Sequence, residues 1–185
     1  MSILLEGADN SGKTTLAKEL LQLNAQLEHF IAGSPPLNMD HERFCIQQQY
    51  ALACRPHMIL DRATCLSQQI YNDGRLFETG LMVELDKLLQ IGTLVVFCRP
   101  STDKLMAYEK FTWRSEESEI HKQRIIANRH LYIERYDQIM QKIPHIVYDY
   151  EDELASAWLR KMLSEISSSP ITYQRLIDIT MQRFR

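Results

Sequence analysis

Five short apolar runs, alternating with segments of helical periodicity, predict an α/β chain built on a five-stranded parallel sheet covered on both faces. The first run passes directly into a glycine-rich loop and then into leucines at helical spacing, so the chain opens as strand, loop and helix. The 185 residues, 45% hydrophobic and 24% charged, suffice for one domain with a full core, which is expected to span 1–185.

The strands are expected at residues 2–6, 28–32, 57–61, 93–98 and 145–149, each a run of five or six mainly apolar or β-branched residues. Helices are expected at 13–25, 39–53, 64–71, 77–90, 118–142, 152–167 and 170–184. Leu81, Met82, Leu85, Leu88 and Leu89 form one apolar stripe, and Leu154, Trp158, Leu159, Met162, Leu163 and Ile166 form another. Ser169-Pro170 supplies an N-cap and a first helical residue for the last helix. That helix serves either packing on the domain edge or a partner interface such as a homodimer.

Residues 99–123 are polar and lack a clear apolar period. Lys104, Lys110, Arg114 and Lys122 fall there, and Arg124 follows. Spaced cations before a helix suit a lid over phosphates; interspersed glutamates leave a solvated surface helix as the other reading.

The formal net charge is −3, so no global field draws the chain to nucleic acid, although a local basic groove would still admit it as an acceptor. Cys45, Cys54, Cys65 and Cys98 lack ligand-like spacing and are expected as reduced thiols. No apolar run approaches membrane-spanning length, so no membrane partner is expected. A strand beginning by residue 3 leaves no room for a signal peptide, and a cytoplasmic location is expected.

The loop reads Gly7-Ala8-Asp9-Asn10-Ser11-Gly12-Lys13-Thr14-Thr15, which completes the phosphate-binding pattern G-x-x-x-x-G-K-[ST]. Gly7 and Gly12 permit tight turns, so that backbone N–H groups of the loop, through Asn10, Ser11 and Thr15, face phosphate oxygens. The N-terminus of the following helix adds partial positive charge. Lys13 is expected at the β- and γ-phosphates and the Thr14 hydroxyl on Mg²⁺. The expectation is therefore a P-loop nucleoside-triphosphate hydrolase fold with ATP and Mg²⁺ as cofactors.

With Glu6 included, the loop resembles that of thymidylate kinases, E-G-x-D-x-x-G-K-[ST]-T. Ile59-Leu60-Asp61-Arg62 is similar to the D-R motif of thymidylate kinases and deoxynucleoside kinases. Ser67-Gln68-Gln69-Ile70-Tyr71 resembles their S-x-x-A-Y-Q helix, and Asn128-Arg129-His130-Leu131-Tyr132 their V-R-x-x-Y helix. The resemblance implies a nucleotide or nucleoside acceptor. Two departures stand out. The stretch Ala32-Gly33-Ser34-Pro35-Pro36 lacks the arginine that clamps an acceptor phosphate in thymidylate kinases, leaving Arg43 or Arg55 as substitutes. An acidic end to the fourth strand is replaced by Cys98-Arg99-Pro100.

Phosphoryl transfer needs positioning and charge neutralisation. Asp61, at a strand end, can orient metal-bound water or cap the helix at 64. Arg62 can fork onto a transferred or acceptor phosphate, or form a surface ion pair. Asp9 can orient a cation, an arginine or an acceptor hydroxyl, or serve as a turn residue. Arg114 and Arg124 are candidates for neutralising charge on the γ-phosphate. If the acceptor is a hydroxyl, Asp61, Asp9 and Asp40 are the candidate bases. Asp149-Tyr150-Glu151-Asp152 either lies near the adenosine or simply starts a helix. The leading expectation is ATP- and Mg²⁺-dependent transfer to a deoxynucleoside monophosphate. The alternatives are transfer to a hydroxyl, of a nucleoside or of a hydroxymethylated base in DNA, and a non-catalytic ATP-binding switch.

Overall fold

The computed structural model describes residues 2–32, 36, 38–71, 81–107, 119–165 and 178. The strands are β1 (Ser2–Glu6), β2 (Glu28–Ile31), β3 (Met58–Asp61), β4 (Leu94–Cys98) and β5 (Ile146–Tyr148). All pair in parallel, in the order β2-β3-β1-β4-β5. The helices are α1 (Lys13–Leu23), α2 (Met39–Ala53), α3 (Thr64–Tyr71), α4 (Leu81–Gln90), α5 (Thr102–Met106), α6 (Glu119–Ala127), α7 (Arg129–Met140) and α8 (Glu153–Glu165).

Side chains alternate across a strand, and here both faces are buried. Leu4, Met58, Leu60, Val95 and Phe97 point to one core, with Leu66 and Ile70 of α3, Leu85 of α4 and Tyr132 and Tyr136 of α7. Ile3, Leu5, Ile59, Val96 and Cys98 point to the other, with Leu16 and Leu20 of α1 and Leu159 and Leu163 of α8. Leu4 and Leu60 are fully buried, and truncating either to alanine costs about 2–5 kcal/mol. This two-sided burial fixes strand register and brings the carboxyl ends of β1, β3 and β4 to one edge, where open α/β sheets bind ligands.

Three expectations change. The helix expected over 118–142 breaks at Asn128, whose φ is −106° and ψ 11°. Its side-chain Nδ2 donates to the Arg124 carbonyl at 3.0 Å, the local competition for backbone partners that makes asparagine a poor helix interior. The polar segment after β4 contains the unforeseen α5, capped by Ser101 and anchored by the fully buried Leu105. On α8 the buried stripe is Ser156, Leu159 and Leu163, whereas Leu154 and Trp158 are 87% and 44% exposed because that face turns away from α1. Residues 77–80 of the fourth expected helix, residues 108–118 of the expected lid and nearly all of the helix expected at 170–184 lie outside the described residues.

Candidate active site

β1 ends at Glu6 and the chain turns at once. Gly7 has φ +145°, and a Cβ there would collide with the Cys98 carbonyl and stand 2.7 Å from Ser11 Oγ. Gly12 has φ +86°, and a Cβ would meet the Tyr150 ring at 2.9 Å. Both positions require glycine for backbone conformation and for space. Between them Asn10 adopts φ +66°, a left-handed geometry that asparagine tolerates. The loop is thus gripped between β4 and the turn after β5, and it feeds into α1.

Lys13, 6% exposed, folds its ammonium onto the loop. Nζ donates to Gly7 O at 2.9 Å, Ala8 O at 2.7 Å and Ser11 Oγ at 3.1 Å. Burial, then the nearby Arg62 charge, holds its pKa below the usual lysine value, partly offset by Asp61 and Asp9.

Thr14 Oγ1 donates to Asp61 Oδ2 at 3.0 Å, joining the first turn of α1 to the end of β3. His29 Nε2, on β2, stands 3.7 Å from the same oxygen, an ion-pair distance rather than a hydrogen bond. Burial raises the Asp61 pKa, but the His29 ring, the Lys13 and Arg62 charges and the Thr14 hydroxyl outweigh it and hold the carboxyl below its usual value. Two oxygen donors at a strand–helix junction suit a hard divalent cation that takes one or two protein oxygens and fills its shell from phosphate and water. Among the described residues no group of three or more His, Cys, Asp or Glu could hold a metal by itself.

Arg62 follows β3 with φ +74°. A left-handed arginine costs about 1–2 kcal/mol, so something must hold it. Its guanidinium pairs through Nη2 with Asp9 Oδ1 and lies over the Tyr71 ring, 5.0 Å from the centroid. Asp9 and Arg62 remain 27% and 22% exposed, so the pair opens to the same cleft edge as the loop. Burial raises the Asp9 pKa, but Arg62 and then Lys13 overcome it and hold the group ionised.

Two buried polar residues behind this pair were not anticipated as functional. Glu6 has no exposed surface; Oε1 accepts from the Ala63 N–H at 2.5 Å and Oε2 from the Tyr136 hydroxyl at 3.2 Å. Burial pushes its carboxyl up to about 7, against the lowering effect of the Ala63 N–H and the Arg62 charge. Gln49, on α2 and 3% exposed, donates through Nε2 to Arg62 O at 3.2 Å and accepts at Oε1 from the Thr64 N–H at 2.7 Å. A glutamate closing an otherwise apolar strand run is the signal that could have marked Glu6. Nothing in the local pattern distinguishes Gln49 from Gln47 and Gln48 beside it.

The chain is similar to the YorR protein of Bacillus subtilis, solved in complex with phosphorylated GDP, with TM-score 0.55 and 21% identity over 80% of this chain and 84% of that one. It is also similar to deoxyadenosine kinase from M. mycoides, solved with bound dATP, with TM-score 0.54 and 19% identity over 88% and 99% of the two chains. The fold is the P-loop nucleoside-triphosphate hydrolase fold. No protein-family model matches the chain, and no curated relative matches its sequence.

The fold therefore brings Lys13, Thr14, Asp61, Arg62 and Asp9 together. The helix-capping alternative for Asp61 does not describe what is seen, because the Ala63 and Thr64 N–H groups are taken by Glu6 and Gln49. Arg124 sits on α6, one turn before the break at Asn128, and Arg114 lies outside the described residues. Of the suggested acceptor clamps, Arg55 pairs with Glu28 at 2.6 Å at the amino end of β2, away from the loop. Arg43 is 69% exposed beside Asp40, which is itself 95% exposed. Arg99, which follows the fourth strand in place of an acidic strand end, forks onto Asp137 of α7 at 2.8 and 2.9 Å. Asp152 accepts from the Ala155 N–H at 3.0 Å and so starts α8, while Glu151 accepts from the Ser101 N–H at 2.8 Å. Among the described residues no helix is long and apolar enough to cross a membrane.

Proposed function

We propose that this protein is an ATP- and Mg²⁺-dependent phosphotransferase acting on a nucleotide or nucleoside, with a deoxynucleoside monophosphate as the leading acceptor. The observation that carries the reading is the convergence of Lys13, the Thr14–Asp61 pair and the Arg62–Asp9 pair on one loop at the sheet's carboxyl edge. In the reaction an acceptor oxygen bonds to the γ-phosphorus as the bond to the β–γ bridging oxygen breaks, and ADP leaves with that electron pair.

Lys13 leaves the loop carbonyls to carry its charge to the β- and γ-oxygens. Thr14 and Asp61 would hold Mg²⁺, which when bound would neutralise phosphate charge. Arg62 keeps guanidinium donors beyond those engaged by Asp9, and these can fork onto an anionic oxygen. The state of the carboxylates favours a monophosphate acceptor. Asp9 and Asp61 are both held below the usual carboxylate range, which makes them weak proton acceptors, and an ionised phosphate requires none. The resemblance to thymidylate kinases supports a monophosphate acceptor, whereas the resemblance to deoxynucleoside kinases fits a hydroxyl acceptor equally well.

A hydroxyl acceptor, on a nucleoside or a hydroxymethylated base in DNA, is the second reading. It is favoured by the stretch Ala32–Pro36, which has no arginine, and by the position of Arg55 at the far end of the sheet. A screen with radiolabelled ATP over nucleosides, monophosphates and DNA decides between them. Label is expected in a deoxynucleoside diphosphate and absent when Mg²⁺ is chelated. Label in nucleosides or DNA instead would move the assignment to the hydroxyl reading. ATP binding with no acceptor-dependent turnover would leave a nucleotide-binding switch.

A further inference from the structure

Arg62 is one of three non-glycine residues with positive φ among the described residues, and the only one whose side chain is placed in the candidate chemistry beside a turn held on every side. Its N–H donates to Leu5 O at 2.9 Å. Its carbonyl accepts from Gln49 Nε2 at 3.2 Å. The next two N–H groups, of Ala63 and Thr64, go to Glu6 Oε1 at 2.5 Å and Gln49 Oε1 at 2.7 Å. Four backbone groups of a strained turn are thus satisfied from β1 and α2, by Leu5, Glu6 and Gln49.

The orientation of the Gln49 amide follows from its partners: turned over, it would set oxygen against the Arg62 carbonyl and nitrogen against the Thr64 N–H. Both ends are committed and the side chain is buried, so Gln49 is not available to a ligand. What it can do is hold the left-handed turn. In an extended conformation Arg62 would continue the alternation of β3 and send its side chain to a sheet face. The left-handed turn carries the guanidinium over the strand end to Asp9 and the loop.

We infer that Gln49, backed by Glu6, is a positioning residue: its side-chain amide locks the Arg62 turn and thereby aims the guanidinium at the phosphate-binding loop. The kinetic consequence rests on the phosphotransferase reading; the structural consequence does not. A guanidinium already aimed surrenders less conformational freedom on engaging an anion, and a small misplacement is expensive in rate.

The test is a double-mutant cycle on the full chain with Gln49→Leu, Arg62→Ala and the pair, read by transfer kinetics, by melting and by ¹⁵N NMR of the arginine guanidinium groups. The Arg62 signal is assigned by its loss in Arg62→Ala. Gln49→Leu is expected to lower kcat on the order of 10- to 100-fold with little change in the KM for ATP. Added to Arg62→Ala it should cost nothing further. In Gln49→Leu, still folded, the Arg62 guanidinium resonance should move towards the position of free arginine. Should Gln49→Leu not fold, Gln49→Asn, one methylene too short to span both backbone partners, is read the same way. An unchanged Arg62 resonance and rate in the folded variant, or losses that multiply in the double variant, would overturn the inference. If wild type phosphorylates no acceptor, the functional reading fails and the guanidinium resonance alone decides the clamp.

Discussion

Thr14 Oγ1 and Asp61 Oδ2, 47 residues apart in sequence, share a 3.0 Å hydrogen bond that joins the phosphate loop's helix to the end of a different strand. Asp61 is nearly buried, and its ionisation is maintained by the cations and hydroxyl around it. Asp61→Asn keeps the shape and removes the charge that would hold Mg²⁺. It is expected to raise the Mg²⁺ concentration needed for half-maximal transfer at least about tenfold while the protein stays folded. Titration of activity against Mg²⁺ checks this, and an unchanged curve would exclude Asp61 from the metal site.

Lys13→Ala removes the ammonium seated on the loop. Turnover is expected to fall by on the order of 10³-fold or more, with far-ultraviolet circular dichroism unchanged. A folded variant retaining near wild-type turnover would take Lys13 out of the mechanism.

Glu6 makes a prediction about stability and pH. Its folded-state pKa, about 7, lies above the ordinary 4.5. The folded chain therefore binds a proton that the unfolded chain has lost between these values, and stability contributed by this group declines as pH rises across that window. Glu6→Gln retains an acceptor for the Ala63 N–H and a donor for the Tyr136 oxygen, while carrying no charge at any pH. Relative to wild type it should gain stability as pH rises from 4.5 to 7, by on the order of 3 kcal/mol at pH 8. Urea unfolding of both proteins at pH 5 and pH 8 measures the difference; a pH-independent gap between them would show that Glu6 does not titrate in this range.

Arg99 and Asp137 form a two-point pair at 2.8 and 2.9 Å, with side chains 22% and 37% exposed. The same guanidinium also donates to Pro100 O at 2.7 Å and Thr102 Oγ1 at 3.1 Å, so it fastens α5 to α7. Arg99→Ala is expected to cost about 1–2 kcal/mol and to increase amide exchange in α5 more than in the sheet. Uniform exchange across the chain would argue against this local role.

The strands were legible because each is short, apolar and bounded by polar or turn residues, and the observed limits fall within one or two residues of the expected ones. The loop was legible because its chemistry is contiguous: Gly7 through Thr15 act as one piece of backbone. Asp61 and Arg62 could be singled out because they close an apolar run and resemble the D-R motif of thymidylate and deoxynucleoside kinases. Their partners could not. Gln49 meets Arg62 only once α2 is packed behind β3, and Glu6 meets Ala63 only because β1 and β3 are neighbours. The anchoring of residues after β4 was missed for the same reason: Leu105 and Arg99 derive their roles from α7, far along the chain.

The sheet order places β1 between β3 and β4, strands formed by residues 58–61 and 94–98. In chain order the glycine-rich loop precedes its floor by a long way: Gly7 lies against the Cys98 carbonyl and Ser2 bonds Thr93 across 91 residues. A nascent chain therefore carries the intact glycine-rich motif without its supporting strand until Cys98 has emerged. Such late closure of distant contacts is slow, and it leaves the glycine-rich loop without its floor during synthesis, when a truncated chain would have the pattern but not the grip.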